Sequence, residues 1–177
     1  MGEHRFSDGA DGSAVRARFD LVPDLREISP AVEQAVRAAT APHNHAACEG
    51  IDALRLALTE ALNNVVEHAR HPSDRPICVS VCEAGDRLQI CIEDEGVPLP
   101  LSLLEPAPEP EPLVEDGELA LVELKEGGWG WMLIHASTVA VSYWRAGGQN
   151  RLCLEFLVDA LRPGAAEVAS LARAGGA

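Results

Sequence analysis

Two short segments restrict the fold of this chain more than any other feature. From Ile77 to Glu83 and again from Leu88 to Asp94, apolar and polar residues alternate, with Ala84-Gly85-Asp86 between the two runs. A period of two marks a strand with one covered face, and a short glycine-containing connection makes the two strands neighbours. Ile77, Val79 and Val81 therefore share a face with Leu88, Ile90 and Ile92, while Cys78, Ser80, Cys82, Gln89, Cys91 and Glu93 take the other. The apolar face calls for a layer of helices. By the same parity Asp94 points toward that layer, where a carboxylate is costly unless it has a partner.

Helical periodicity supplies the layer. Asp24 can cap a helix from Leu25 to about Thr40, with Pro30 early enough to disturb its first turns. A second helix runs from about Ala47 to Ala69 and stops before Pro72. At about 100° per residue, Leu58, Leu62, Val65 and Ala69 fall on one side of it, and Glu60, Asn64, Glu67 and His68 on the opposite side. Glu60 and Asn64 are one turn apart, so their carboxylate and carboxamide can serve as a proton acceptor and as an oxygen ligand for a hard cation such as magnesium. A solvated helix face would produce the same polar line.

The remaining segments complete one domain. Val15, Ala17 and Phe19 alternate with charged residues in a short first strand, and strands are also expected at Val139–Trp144 and Arg151–Val158, hinged at Gly147-Gly148. Gly127-Gly128-Trp129-Gly130 opens a helix through about Ser137. Residues 1–13 read as a loose leader, 14–160 as the domain and 161–177 as a loosely held tail. Residues 101–126 form a long acidic, proline-rich loop in which Lys125 is the only basic residue among eight acidic ones.

Composition narrows the function classes. The net charge of −14, from 14 basic and 28 acidic residues, opposes binding to a nucleic-acid backbone. The opening Met1-Gly2-Glu3-His4-Arg5-Phe6 lacks the apolar run of a secretory signal and no segment has the length of a membrane span, so the expectation is a cytoplasmic protein. Cys48, Cys78, Cys82, Cys91 and Cys153 are odd in number and contain no CxxC pair. They read as small apolar residues, with neither a disulfide framework nor a zinc site expected. With Leu157, four of them make the face away from the helices a candidate homodimer or partner surface.

Two further boxes follow the helix. Asp94-Glu95-Gly96-Val97-Pro98 sets the inward carboxylate beside a glycine that allows close backbone approach to a planar ligand, and a carboxylate in an apolar cleft accepts well from an exocyclic amine such as that of adenine. Gly127-Gly128-x-Gly130 at a helix start exposes backbone N–H groups at the positive end of the helix dipole, a seat for phosphates. Taken singly, a strand-to-turn exit and a steric loop-to-helix junction explain these boxes as well.

Their order is more specific. Glu60 to Asn64 on a helix, Asp94 to Pro98 at a strand end, a long loop, then Gly127 to Ile134 opening a helix resembles the GHKL superfamily of ATP-binding domains. Within it, Glu60-Ala61-Leu62-Asn63-Asn64 with His68-Ala69 is similar to the anti-sigma-factor serine/threonine kinase family, over about residues 14–158. The resemblance implies an α+β fold, a two-layer sandwich whose mixed, mostly antiparallel sheet is covered on one face by helices. It implies ATP and Mg2+ as cofactors, with Asn64 the magnesium ligand, Glu60 the base that activates an incoming hydroxyl, and Asp94 the adenine reader. Gly96, Gly128 and Gly130 would give close backbone contacts, and Lys125 would be the cation of the lid. His68 matches the family's histidine, although a helix-end residue bonded to nearby backbone is an equal reading, and Glu67 reads as a solvated charge. The implied partners are a sigma factor and a STAS-type anti-sigma-factor antagonist.

The sequence departs from the family pattern at Pro98, which stands where a second glycine is expected, and in the acidic lid. Two functions follow: a serine/threonine kinase that phosphorylates the antagonist and sequesters the sigma factor, or a nucleotide-gated binding module without phosphotransfer. A histidine kinase is not expected, since the sequence shows no dimerisation helix with a phosphoacceptor histidine ahead of the ATP domain.

Overall fold

The structure is a computed structural model that describes residues 14–41, 48–72, 74–105, 114–115, 118–119 and 129–162. The leader 1–13, His43 and His45, most of the acidic loop with Lys125, the box residues Gly127 and Gly128, and the tail from residue 163 lie outside the described residues.

The chain runs β1 (Ala14–Leu21), α1 (Leu25–Thr40), α2 (Glu49–His68), β2 (Ile77–Ala84), β3 (Arg87–Asp94), β4 (Val114–Glu115), β5 (Glu118–Leu119), α3 (Trp129–Ser137), β6 (Ala140–Ala146) and β7 (Gln149–Leu157). Five strands form one sheet in the order β1-β2-β3-β7-β6, and each of its four pairings is antiparallel. The fold class is the expected α+β sandwich, without the parallel pair that a mixed sheet would contain. Within the acidic loop, β4 and β5 pair as a separate two-stranded ladder where only loop was expected.

Parity puts the apolar faces where the alternation requires. Val79 pairs with Ile92 and Val81 with Ile90, and on β7 Leu152 and Leu154 continue these rows. Against this face lie Ile28, Val32 and Val36 of α1 and Leu54, Leu58 and Leu62 of α2, all buried. The hydrophobic burial that holds the layers together therefore comes from Leu, Ile and Val rather than from the scarce aromatics.

Local chemistry explains the helix ends. The Asp24 carboxylate accepts from Arg26 N–H at 2.9 Å and caps α1. Pro30 sits on the exposed side of α1, and the helix runs unbroken through it, contrary to the expected disturbance. At the other end a bulge in β1 between Val15 and Ala17 re-aims Arg16, whose guanidinium donates to Ala39 O at 2.6 Å and Ala41 O at 2.9 Å, occupying carbonyls that α1 leaves open. α2 ends at His68 with Ala69 as its cap, after which Arg70 takes a left-handed φ of 47°.

The cysteines require a correction. Cys91 and Cys153 are bonded as a disulfide, leaving Cys48, Cys78 and Cys82 as free thiols. The two bonded residues are register partners on β3 and β7 with Cα atoms 4.1 Å apart, the close spacing of a pair directly opposite across antiparallel strands. An odd count hid a pairing that depends on strand adjacency. The face away from the helices is also less apolar than the sequence suggests. Arg18 and Arg151 both reach Glu93, at 2.9 and 3.4 Å, and Gln89 donates to Glu155. Burial pushes the Cys78 thiol up to about 11, which keeps it in the unreactive protonated form.

Among the described residues no helix is long and apolar enough to cross a membrane.

Candidate functional site

The end of α2, the adjoining ends of β3 and β7, the segment after β3 and the first turns of α3 enclose a cavity of about 340 Å³. That volume lies at the lower end of the range for small-molecule and cofactor sites. Asn64, Asp94, Pro98, Trp131, Tyr143 and Asn150 contribute to its walls.

Asp94 is the last residue of β3, turned inward by parity and only 6% exposed. Its Oδ1 accepts from Gly96 N–H at 2.7 Å and from the Asn150 amide at 2.8 Å. Both bonds fall on one oxygen, so among the described residues Oδ2 takes none. Here the buried carboxylate has the partners that its burial demands. His71 approaches Asp94 Oδ1 at 3.8 Å, but its Nδ1 accepts from Glu95 N–H at 2.9 Å and its Nε2 faces Arg75 O at 3.0 Å. The proton therefore sits on Nε2, and no hydrogen joins His71 to Asp94.

Gly96 is where backbone meets backbone. A Cβ built on it would lie 2.3 Å from Ala69 O and 2.8 Å from Ala69 Cβ, and the next residue, Val97, donates its N–H to Ala69 O at 2.6 Å. The last carbonyl of α2 is thus capped by the turn after β3, which ties the helix carrying Asn64 to the strand carrying Asp94.

The Glu60 and Asn64 part of the polar line of α2 is covered by α3, while Glu67 and His68 stay exposed. A Cβ on Gly130 would come within 2.7 Å of Glu60 Oε2 and 3.8 Å of Asn64 Nδ2, so a bare glycine in the first turn of α3 rests over the acid-amide couple. Glu60 and Asn64 are half-buried rather than solvated. Asn64 faces the cavity, whereas Glu60 lies one turn back, against Gly130. Asn64 Nδ2 is buried and has no hydrogen-bond partner among the described residues. A buried amide with no partner among the described residues is free to bond a group entering the cavity, and a half-turn of the carboxamide would present its oxygen instead. His68 stands at the rim with its side chain 72% exposed, beside Glu67 at 3.9 Å. Asn64, Asp94 and His68 therefore line one cleft, Gly96 and Gly130 pack beside it against Ala69 and Glu60 without lining it, and Lys125 and Gly128 fall outside the described residues.

A model of the histidine kinase-like ATPase domain family matches residues 21–156, more than half of the chain. The chain belongs to that family. The resemblance to the GHKL superfamily holds at the level of family and fold. Among solved structures, the crystal structure of the RsbU and RsbW domains of Rv1364c from Mycobacterium tuberculosis is similar in fold, with a TM-score of 0.52 at 14% sequence identity. That likeness covers 80% of this chain and 32% of the other, so this ATPase domain spans about a third of that chain's length. No curated protein matches the sequence.

Three residues of this ATPase-domain site went unread in the sequence. Tyr143 and Arg145 on β6 and Asn150 on β7 share the inward face with Asp94, and Asn150 is 3% exposed. The available signal was parity. Counting back from Phe156, Leu154 and Leu152 puts Asn150 inside, as counting forward from Ile92 puts Asp94 there.

Proposed function

We propose that this domain is a protein serine/threonine kinase of the anti-sigma-factor type, which binds Mg-ATP, phosphorylates an anti-sigma-factor antagonist and holds a sigma factor. The single observation that carries the reading is that one cleft holds a carboxylate, Asp94, with one oxygen unoccupied among the described residues, and a buried amide, Asn64, with no partner among them. In this reading Asp94 Oδ2 accepts from the exocyclic amine of adenine, and Gly96 keeps the backbone close to the base. Asn64 supplies an oxygen ligand to magnesium. Mg-ATP, when bound, supplies the transferable phosphoryl group and the counter-charge. Glu60 takes the proton of the incoming serine or threonine hydroxyl, while Gly130 leaves room beside its carboxylate. His68, Gly128 and Lys125 are assigned to nucleotide contacts, Lys125 as the cation nearest the terminal phosphate. Phosphoryl transfer rests mainly on positioning and charge neutralisation, which this set supplies.

Glu60→Ala should retain Mg-ATP and lose transfer of labelled phosphate to the antagonist by at least about a hundredfold, the usual weight of a positioned base. A variant that still phosphorylates moves the base elsewhere.

The acidic composition of residues 101–126 favours a second reading, a nucleotide-gated module that grips partners without transfer. Eight acidic residues in one stretch repel a triphosphate more than they favour it. Wild-type protein that binds ATP but labels no antagonist would establish this alternative.

A further inference from the structure

Asp94, Asn150 and Arg145 form a single register row across three adjacent strands, Asp94 opposite Asn150 on β7 and Asn150 opposite Arg145 on β6. The carboxamide between the acid and the base is fully engaged. Its Nδ2 donates to Asp94 Oδ1 at 2.8 Å and to Val97 O at 3.1 Å, with Gly96 O at 3.3 Å. Its Oδ1 accepts from the Tyr143 hydroxyl at 2.7 Å and from the Arg145 guanidinium. Reversing the amide would set its oxygen against a carboxylate and two carbonyls, so this network admits one orientation. The amide dipole lies between an anion and a cation in the favourable sense.

The same side chains hold the turn after β3. Arg145 donates to Gly96 O at 2.9 Å, and the Tyr143 hydroxyl accepts from Leu99 N–H at 3.1 Å while donating to Asn150. The β6–β7 hairpin thereby holds Gly96, Val97 and Leu99, while Ala69 at the end of α2 holds the Val97 N–H. It also consumes both lone-pair positions of Asp94 Oδ1 together with Gly96 N–H.

We infer that Tyr143, Arg145 and Asn150 are positioning residues that determine base specificity, by fixing Asp94 so that only Oδ2, a pure acceptor, meets the bound base. The ligand class is a purine nucleotide with an amino group at the position facing Oδ2, and a purine carrying a carbonyl there is rejected. The inference rests on the nucleotide-binding reading above and deepens it. Part of the clamp is an exposed arginine on an edge strand, so its removal can be tested without emptying the core.

The test compares calorimetric affinities for ATP and for inosine triphosphate, which replaces the amine by a carbonyl, in wild type, Arg145→Met, Arg145→Lys and Tyr143→Phe. Wild type should prefer ATP. Arg145→Met should reduce the ATP-to-ITP preference roughly tenfold, the worth of about one well-placed hydrogen bond. Arg145→Lys should retain part of it, and Tyr143→Phe should reduce it two- to threefold, again on the scale of a single shared bond. A purely structural role would weaken both nucleotides equally, so folded variants that keep the wild-type ratio overturn the inference. If Arg145→Met fails to fold, Tyr143→Phe decides in the same way. Wild type that binds ATP without preferring it over ITP overturns the inference alone, and wild type that binds neither overturns the nucleotide-binding reading as well.

Discussion

The two ends of the cleft are built differently. At the Asp94 end nearly every polar group is spoken for: two donors on one carboxylate oxygen, a saturated Asn150 amide, a tyrosine bridging backbone and side chain, and a helix carbonyl capped by Val97. At the Asn64 end a buried amide has no partner among the described residues, and a glycine leaves Glu60 room. The finished end is suited to reading a rigid group, because its geometry is established before the ligand arrives and little reorganisation is needed on binding. The unfinished end is suited to groups that bring their own charge, such as phosphates and a metal ion.

The contrast can be broken most severely at Asp94. Asp94→Asn can keep both bonds on its remaining oxygen while turning Oδ2 into a donor, so the fold should survive and ATP affinity should fall by at least about a hundredfold in calorimetry. Unchanged affinity would refute the adenine role. Next in size is a pair of alanine substitutions. At Gly96 the new methyl meets backbone, and Gly96→Ala should cost about 2 kcal/mol, a drop of roughly 4–8 °C in thermal unfolding. At Gly130 it meets the tip of a flexible side chain, and Gly130→Ala should cost under about 1 kcal/mol while displacing the Glu60 carboxylate. Equal losses at the two sites would erase the distinction.

Asn64→Ala should weaken ATP about tenfold in magnesium and little in EDTA, and should leave stability level or slightly higher, because it removes a buried amide that has no partner among the described residues. An identical loss in EDTA would count against metal ligation. The smallest effect lies outside the cleft. The Arg26 side chain hydrogen-bonded to Asp24, with the Arg26 backbone N–H, holds the Asp24 carboxyl down at about 2 against an ordinary value of 3.8. The stabilisation is complete above about pH 4 and is lost as pH falls toward about 2, since protonation removes the acceptor that caps α1. Circular dichroism should register a slightly shallower acid transition in Asp24→Ala, with nucleotide affinity at neutral pH unchanged.

Features governed by local periodicity were legible in the sequence. α1 has the expected limits, β2 and β3 begin and end within a residue of the alternation, and parity alone placed Asp94 inside. Features that depend on which strands become neighbours were not. The disulfide and the Asp94–Asn150–Arg145 row both require β7 to insert between β3 and β6, and nothing within β3 or β7 specifies that adjacency. The approach of Gly130 to Glu60 is likewise tertiary: the glycine box looked like a phosphate seat, while its last glycine also lets the tip of Glu60 lie close against α3. His71 escaped notice because its contacts, with Glu95 N–H and Arg75 O, arise only once the turn after α2 is folded beside the end of β3.

The bond between Cys91 and Cys153 encloses the segment from the end of β3 to the middle of β7 in a covalent ring, with Asp94, the whole acidic loop, α3 and Asn150 inside it. A protease that nicks the loop once would therefore leave two fragments still tethered, with both walls of the cleft on a common scaffold. Only a reductant would separate them, so a cut in this loop would leave the two walls of the site covalently joined.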